Sequence, residues 1–415
     1  MPEALPVVVI GAGVAGLSVA VHLQRLGRKV VVIDRLEPPG GASFGNCGFI
    51  SPNSCIPASR PGMMRHVPRW LSDPEGPLRI DPSYALRAAP WLMRWMLAGR
   101  SARRSEVSAA LNTLHQTTWE EWRTLLGAQS FNDLMRPSAV VSLTNLATDG
   151  PLQEQEKKLE ERFGIKRETI GRAEIREMFP GISEEVARGV VLPPNGYVVS
   201  TTRLFRTLAQ IFREAGGQIV YEDVQKVIPS GEGNRWIIMT NAQNHIANDV
   251  VIAAGVWSAR LLSPLGVRVP LQSQRGYHVM LPAPSLELRH GLIHREFALG
   301  ITPMEEGLRV GGTIEFAGLD AAPDERRAIV LHKRAVRVFP ELRAGRPSWW
   351  MGHRPSLPDE LPALGPIPGH PGLHACFGHG MSGLSGGPLS GRLVAELVVG
   401  RQPALDLSPY SITRF

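Results

Sequence analysis

Gly11, Gly13 and Gly16 stand at GxGxxG spacing, between the apolar run Val7–Ile10 and a helix-like segment that reaches Gly27. A second apolar run, Val30–Ile33, closes on Asp34. The spacing matches a chemical need. Gly11 permits a tight turn, Gly13 lets backbone approach a pyrophosphate, and Gly16 lets the helix lie against the strand. The helix start, with Val14 and Ala15, presents N–H groups and a partial positive charge to phosphate. Asp34, about twenty residues on, is placed to accept from ribose hydroxyls. Strand, turn, helix, strand and acid in that order predict a dinucleotide site, open at this point to either NAD or FAD.

Three further segments favour the larger, two-ended ligand, FAD. Gly40-Gly41-Ala42-Ser43 follows directly on the acid-bearing strand. Ile252-Ala253-Ala254-Gly255 ends a strand in small residues in mid-chain, and Trp257 follows. Gly378, Gly380 and Gly383 precede a helix read as Pro388–Val399, a second glycine-rich helix start far along the chain.

The elements that must hold these groups follow from the pattern. At 415 residues and 43% apolar content the chain supports more than one core. The stretch 40–62 reads as an extended loop. The stretch 63–104 interleaves Trp70, Trp91 and Trp95 with Arg65, Arg69, Arg94, Arg100, Arg103 and Arg104. Two readings of it stand: a helical subdomain with its tryptophans packed inward, or a basic helix lying on a membrane surface. Helices are expected at 105–128, within 151–188, from Thr201 or Thr202 to Gly216, and over Asp324–Phe339. Between 269 and 344 most of the chain reads as short strands.

Leu5–Val21 is read as buried strand and helix rather than a signal peptide, because Glu3 precedes it, no Lys or Arg does, and glycines interrupt it. No other run approaches the length of a membrane span. Cys47, Cys55 and Cys376 are too few and too scattered for a disulfide framework or a metal site. No metal is expected, and a cytoplasmic protein is, with inner-face membrane contact through 63–104 as the alternative. The formal charge of +7 admits nucleic acid or anionic lipid as partners, but the arginines are scattered and nucleic acid is not expected.

Several longer motifs carry a resemblance. Asp34-Arg35, GGASFGNCGFISP (40–52), AAGVWS (253–258), QRGYHV (274–279), GHRPSLPDELPALGP (352–366) and FGHGMSGLSGGPLSGRLVAEL (377–397) resemble the D-amino-acid oxidase-like flavoproteins. Within that family they are most similar to bacterial D-amino-acid dehydrogenases, including the D-hydroxyproline type. The resemblance implies an α/β plus α+β architecture: a Rossmann-like FAD domain (1–62, 189–268 and 345–415) interrupted by a substrate domain with a mixed or antiparallel sheet (63–188 and 269–344). It implies oxidation of a D-amino acid or cyclic imino acid by hydride transfer from Cα to flavin N5, with a quinone-type acceptor or oxygen downstream. Glycine or sarcosine oxidation, or action on modified tRNA, are the alternatives.

By the same resemblance Arg354 clamps the substrate carboxylate and Tyr277 contacts substrate, a packed strand tyrosine being the competing reading. His278, Glu296, Thr302 and His353 are pocket candidates, His379 shapes the flavin loop, and Cys47 passes near the flavin. Arg35, Ala42, Ser43, Asn46, Gly48, Val224, Ala254, Gly255 and Trp257 join the cofactor site. Gly380, Met381, Ser382, Gly383 and Leu384 offer backbone N–H groups to the flavin pyrimidine end. Sarcosine-oxidase-like relatives carry a flavin-linking cysteine near the position of Arg354-Pro355, so non-covalent FAD is implied.

Overall fold

The computed structural model describes residues 5–38, 40–60, 67–231 and 235–415. Residues 63–66 of the Trp/Arg-rich stretch lie outside them, as does Arg65 with its expected surface role.

β1 (Val7–Ile10), α1 (Val14–Arg25) and β2 (Val30–Asp34) form the unit read from the glycine spacing. They nucleate a six-stranded sheet in the order 218–221, β2, β1, 250–252, 373–377, 363–366. All neighbours run parallel except the last pair. β1 is buried on both faces, as a near-continuous apolar run in a parallel sheet requires. Val7 and Val9 pack toward α1, the helix Thr201–Glu214 and the C-terminal helix Gly383–Val398. Val8 and Ile10 pack the other way, toward the three-stranded sheet 224–247 and the helix Ser258–Leu262.

The second sheet is mixed and larger. Its order is 348–356, 272–281, 307–316, 299–304, 291–294, 140–144, 188–191, 168–170, with Leu78–Ile80 pairing onto 307–316. The helix Glu325–Val338 covers one face through Ala328, Leu331, Ala335 and Val338.

Two sequence boundaries move. Strand Ser348–Ser356, assigned by its position after 345 to the first module, hydrogen-bonds along Gln272–Leu281 in the second sheet. Helices Ser101–His115 and Thr118–Leu134, assigned to the substrate module, bury Val107, Leu111, Leu114, Trp122 and Leu125 in the same core as α1. Local composition carries no information about which distant face a helix buries, so a contiguous cut could not see either exchange. Within 40–62 the described chain holds a one-turn helix, Gly41–Phe44, and a two-residue strand, Phe49–Ile50. The C-terminal helix begins at Gly383, five residues before its expected start.

α1 and the C-terminal helix meet backbone to backbone. A Cβ on Gly391 would stand 2.4 Å from the Ser18 Cβ and 2.7 Å from its carbonyl carbon. Gly391→Ala is therefore expected to lower stability by about 1–3 kcal/mol, the usual cost of overpacking. A thermal melt of the purified protein checks it.

Candidate functional site

A cleft of about 320 Å³ opens at the carboxyl ends of β1, β2 and strand 250–252. Strand order reverses there about β1, the usual ligand position in an open α/β sheet. Gly11 turns at φ +113°, and its N–H donates to the Ile33 carbonyl at 2.8 Å. A Cβ on it would stand 2.3 Å from the Ala253 carbonyl oxygen, so only glycine fits. Gly16 lies outside the cleft lining; its missing side chain lets α1 pass the Gly11 carbonyl.

Gly13 caps α1 without a side-chain acceptor, so first-turn N–H groups face the cleft. The Val14 N–H donates to the Ser43 hydroxyl at 3.1 Å. Both Asp34 carboxylate oxygens are anchored, one accepting from Ala12 N–H at 2.6 Å and the other from Leu36 N–H at 2.9 Å. Burial pushes its pKa up, opposed by those N–H donors and by Arg35. The Arg35 guanidinium lies 3.9 Å over the Trp257 ring, and His353 meets the same ring edge-on. Ala15, Ala42, Asn46, Val224, Ala254 and Gly255 complete this end.

The far end is built by Gly378, His379, Gly380, Gly383 and Leu384. Ser390 spends its hydroxyl proton on the Gly386 carbonyl, so His379 Nε2 is the donor to Ser390 Oγ at 2.9 Å. Burial holds His379 near pKa 3, neutral throughout the physiological range. Met381 is 52% exposed and Ser382 caps the helix; neither lines the cleft. Gly48 also lies outside it. At φ +80° it donates its N–H to Asn46 Oδ1 and so shapes the loop behind the wall.

Glycine-lined backbone, an uncapped helix start and an anchored carboxylate at one end, with a second glycine-rich helix start at the other, fit an extended dinucleotide. Among the described residues no cluster of His, Cys, Asp or Glu could hold a metal ion.

Arg354 stands beside this cleft on strand 348–356, opposite Gln274. Its guanidinium lies across Gly276, where a Cβ would be 2.1 Å from Cζ. One N–H donates to the Thr313 carbonyl at 3.1 Å. No carboxylate pairs with it among the described residues, and burial pushes its pKa below the usual arginine value. Gly352, directly across from Gly276, lies under the Trp350 indole. Trp350 in turn stacks on His278 at 5.4 Å, and His278 Nδ1 lies 3.1 Å from the Gly45 carbonyl oxygen. Burial lowers the His278 pKa to about 3.

Cys47 packs its sulfur over Gly311, and its carbonyl accepts from Thr302 Oγ1 at 2.6 Å. Burial raises this thiol's pKa while Arg354 and Arg309 pull it down.

Tyr277 is not part of this arrangement. Strand alternation turns it to the opposite face of the sheet, where it is 2% exposed. Its hydroxyl donates to Glu315 at 2.7 Å and accepts the Asp324 N–H at 2.9 Å, fixing the start of helix Glu325–Val338. Burial pushes its pKa up to about 12. Glu296 belongs to the far part of the sheet, bonded to Thr144 and Asn145. His353 alternates away from Arg354, toward Ser273 and the nucleotide cleft.

Three supporting residues escaped the sequence reading. Arg309 is buried and donates to the Phe44 and Asn46 carbonyls and to Thr201. Trp350 walls the face that carries Arg354. Glu360, at φ +65°, accepts from the Ala58 and Ser59 N–H groups and from Trp95. The adjacent Gly311-Gly312 pair was the local signal for Arg309, Glu360 stood unassigned within the 352–366 motif, and Trp350 left none.

A parallel sheet with this cleft, joined to a mixed sheet bearing an unpaired arginine, defines a two-module flavoprotein oxidoreductase. The chain belongs to the FAD dependent oxidoreductase family, whose model matches residues 6–397. It is 35% identical over 427 residues to a D-amino-acid oxidase of Bradyrhizobium diazoefficiens, with 100% of both chains covered. It is 29% identical to a D-amino acid dehydrogenase of Rhizorhabdus wittichii over 99% of this chain and 100% of that one. Glycine oxidase from Geobacillus kaustophilus shares the fold, with TM-score 0.76 and 23% identity over 100% of this chain and 99% of that one. The protein is thus an FAD-dependent oxidoreductase.

Because the Tyr277 hydroxyl bridges Glu315 and Asp324, Tyr277→Phe is expected to cost about 1–3 kcal/mol of stability while changing substrate affinity by less than about twofold. Urea titration and a substrate titration of the same variant separate the two effects.

Proposed function

We propose that the protein oxidises a D-amino acid or cyclic imino acid, of the D-proline or hydroxyproline type, to the corresponding imine. Bound FAD would supply the hydride acceptor. The observation that carries this reading is Arg354, a partly buried guanidinium beside the cofactor cleft with no carboxylate to neutralise it among the described residues. A substrate carboxylate is the natural counterion, and bidentate pairing would fix the neighbouring Cα–H in one direction.

Gly276 and Gly352 let the guanidinium and the Trp350 indole lie close against the sheet. His278 and His379, both held near pKa 3, and His353, held near 4, stay neutral and add no positive charge to oppose the substrate amine. The first-turn N–H groups of Gly383 and Leu384 offer hydrogen bonds to the end of the cofactor where negative charge develops on reduction. FAD is held non-covalently in this reading, since Arg354-Pro355 stands where the flavin-linking cysteine of some relatives would be. Electrons then pass to a quinone-type acceptor or to oxygen; a bilayer-dissolved quinone requires a protein surface that meets lipid.

The test is anaerobic mixing of the holoenzyme with a panel of D-, L- and N-methyl amino acids, following loss of the flavin's visible absorbance. Bleaching by D-amino or cyclic imino acids is the expected result. Bleaching only by glycine or sarcosine would assign the smaller-substrate reaction, and no bleaching by any carboxylate-bearing amine would overturn the reading. Arg354→Leu should weaken substrate binding by about 2–5 kcal/mol while the flavin spectrum persists. The amine must be neutral to assist hydride departure, so kcat/KM should rise with pH along the substrate's own amine ionisation. That limb should move when substrates of different amine pKa are compared, because the three histidines have already lost their protons below pH 5.

A further inference from the structure

Helix Ala85–Ala98 has a finished inner face and an unfinished outer one. Inside, Trp91 is 5% exposed and donates its indole N–H to the Ser356 carbonyl at 3.2 Å. Trp95 donates to Glu360 at 3.0 Å, and the two rings stack 6.4 Å apart. Trp91 and Trp95, two of the three tryptophans that suggested a membrane role in the sequence, are thus spent on packing against the end of the Arg354 strand.

The outer face is apolar for a different reason. Leu86 is 89% exposed, Met93 60% and Leu97 48%, and Pro90 is exposed beside them. At ~100° per residue these four positions fall within a stripe about 60° wide, opposite Ala88 and Trp95. Arg87 and Arg94 are exposed along one border of the stripe, and Arg100 follows the helix end. None of the three has a carboxylate partner among the described residues. From Pro82 to Ser105 the chain carries no Asp or Glu at all.

A water-facing helix surface is ordinarily polar; this one combines bulky aliphatic groups with unpaired cations, the pattern of a helix lying in a membrane interface. We propose that the Leu86/Met93/Leu97 face docks on an anionic lipid surface, the side chains entering the headgroup layer and Arg87, Arg94 and Arg100 meeting lipid phosphates. No helix among the described residues is long and apolar enough to cross a membrane, so the contact is peripheral. A second copy of the chain fits less well. A two-fold contact through this stripe would set Arg87 and Arg94 close to their own copies, with no acidic residue on the helix to compensate. The inference stands apart from the identity of the substrate.

The test is sedimentation of the holoenzyme with vesicles of phosphatidylcholine alone or with added phosphatidylglycerol. Wild type is expected to pellet with the anionic vesicles, less so as salt is raised. L86S/M93S/L97S and R87E/R94E should each reduce partitioning about tenfold or more. Both variants should keep bound FAD and amine-driven bleaching, because the inner contacts of the helix are untouched. Wild type remaining in the supernatant, or an aliphatic variant pelleting like wild type, would overturn the proposal. So would light scattering that finds a wild-type dimer and a monomeric L86S/M93S/L97S variant, which would assign the face to a second copy.

Discussion

Where α1 crosses the turn before it, no side chain fits: a Cβ on Gly16 would stand 1.8 Å from the Gly11 carbonyl oxygen. That close approach sets the angle of α1 over the sheet, and the rest of the molecule is assembled on it. Gly391 repeats the device on the C-terminal helix against Ser18. Together they bring residues near 11 and near 383 to the two ends of one cleft. A bulkier residue at either crossing would separate the helices and with them the two ends of the site.

The second constraint is electrostatic. Burying a guanidinium without a partner is unfavourable, and proteins ordinarily pair such groups. Arg275, on the neighbouring strand, obeys the rule, with Glu315 and three carbonyls around it. Arg309 spends one amino group on two carbonyls and Thr201, while its buried Nε has no partner. Arg354 has one carbonyl and no carboxylate among the described residues. Of these three arginines of one sheet, Arg354 is the one that is both partly exposed and without a carboxylate among the described residues.

Legibility followed the range of the physical cause. The dinucleotide unit was readable because its glycines, strands and acid are local and closely spaced. β2 ends on Asp34 as expected, and the helix beginning at Thr201 is capped by Ser200, one residue from the expected position. Arg354 was readable only through the longer HRP-containing motif, since an arginine between a histidine and a proline has no chemistry of its own. The roles of Arg309, Trp350 and Glu360 were not readable, because each depends on loop 44–59 folding back onto residues 263 to 306 positions away.

Tyr277 marks the boundary most clearly. The sequence placed it on a strand, and it does lie on one, paired with the strand that carries Arg354. Which face it occupies depends on register, and a shift of one residue inverts the answer. The amino-acid order by itself determined the nucleotide-binding turn, the order of strands and helices around it, and the arginine with its family of chemistry, since these rest on local backbone conformation and motif. Only the tertiary structure decided that Tyr277 is a core anchor, that Trp91 and Trp95 face inward while Leu86, Met93 and Leu97 face out, and that Arg354 meets a carbonyl and no carboxylate among the described residues. Each of those outcomes is set by which distant surfaces exclude water from one another, and sequence spacing does not encode that.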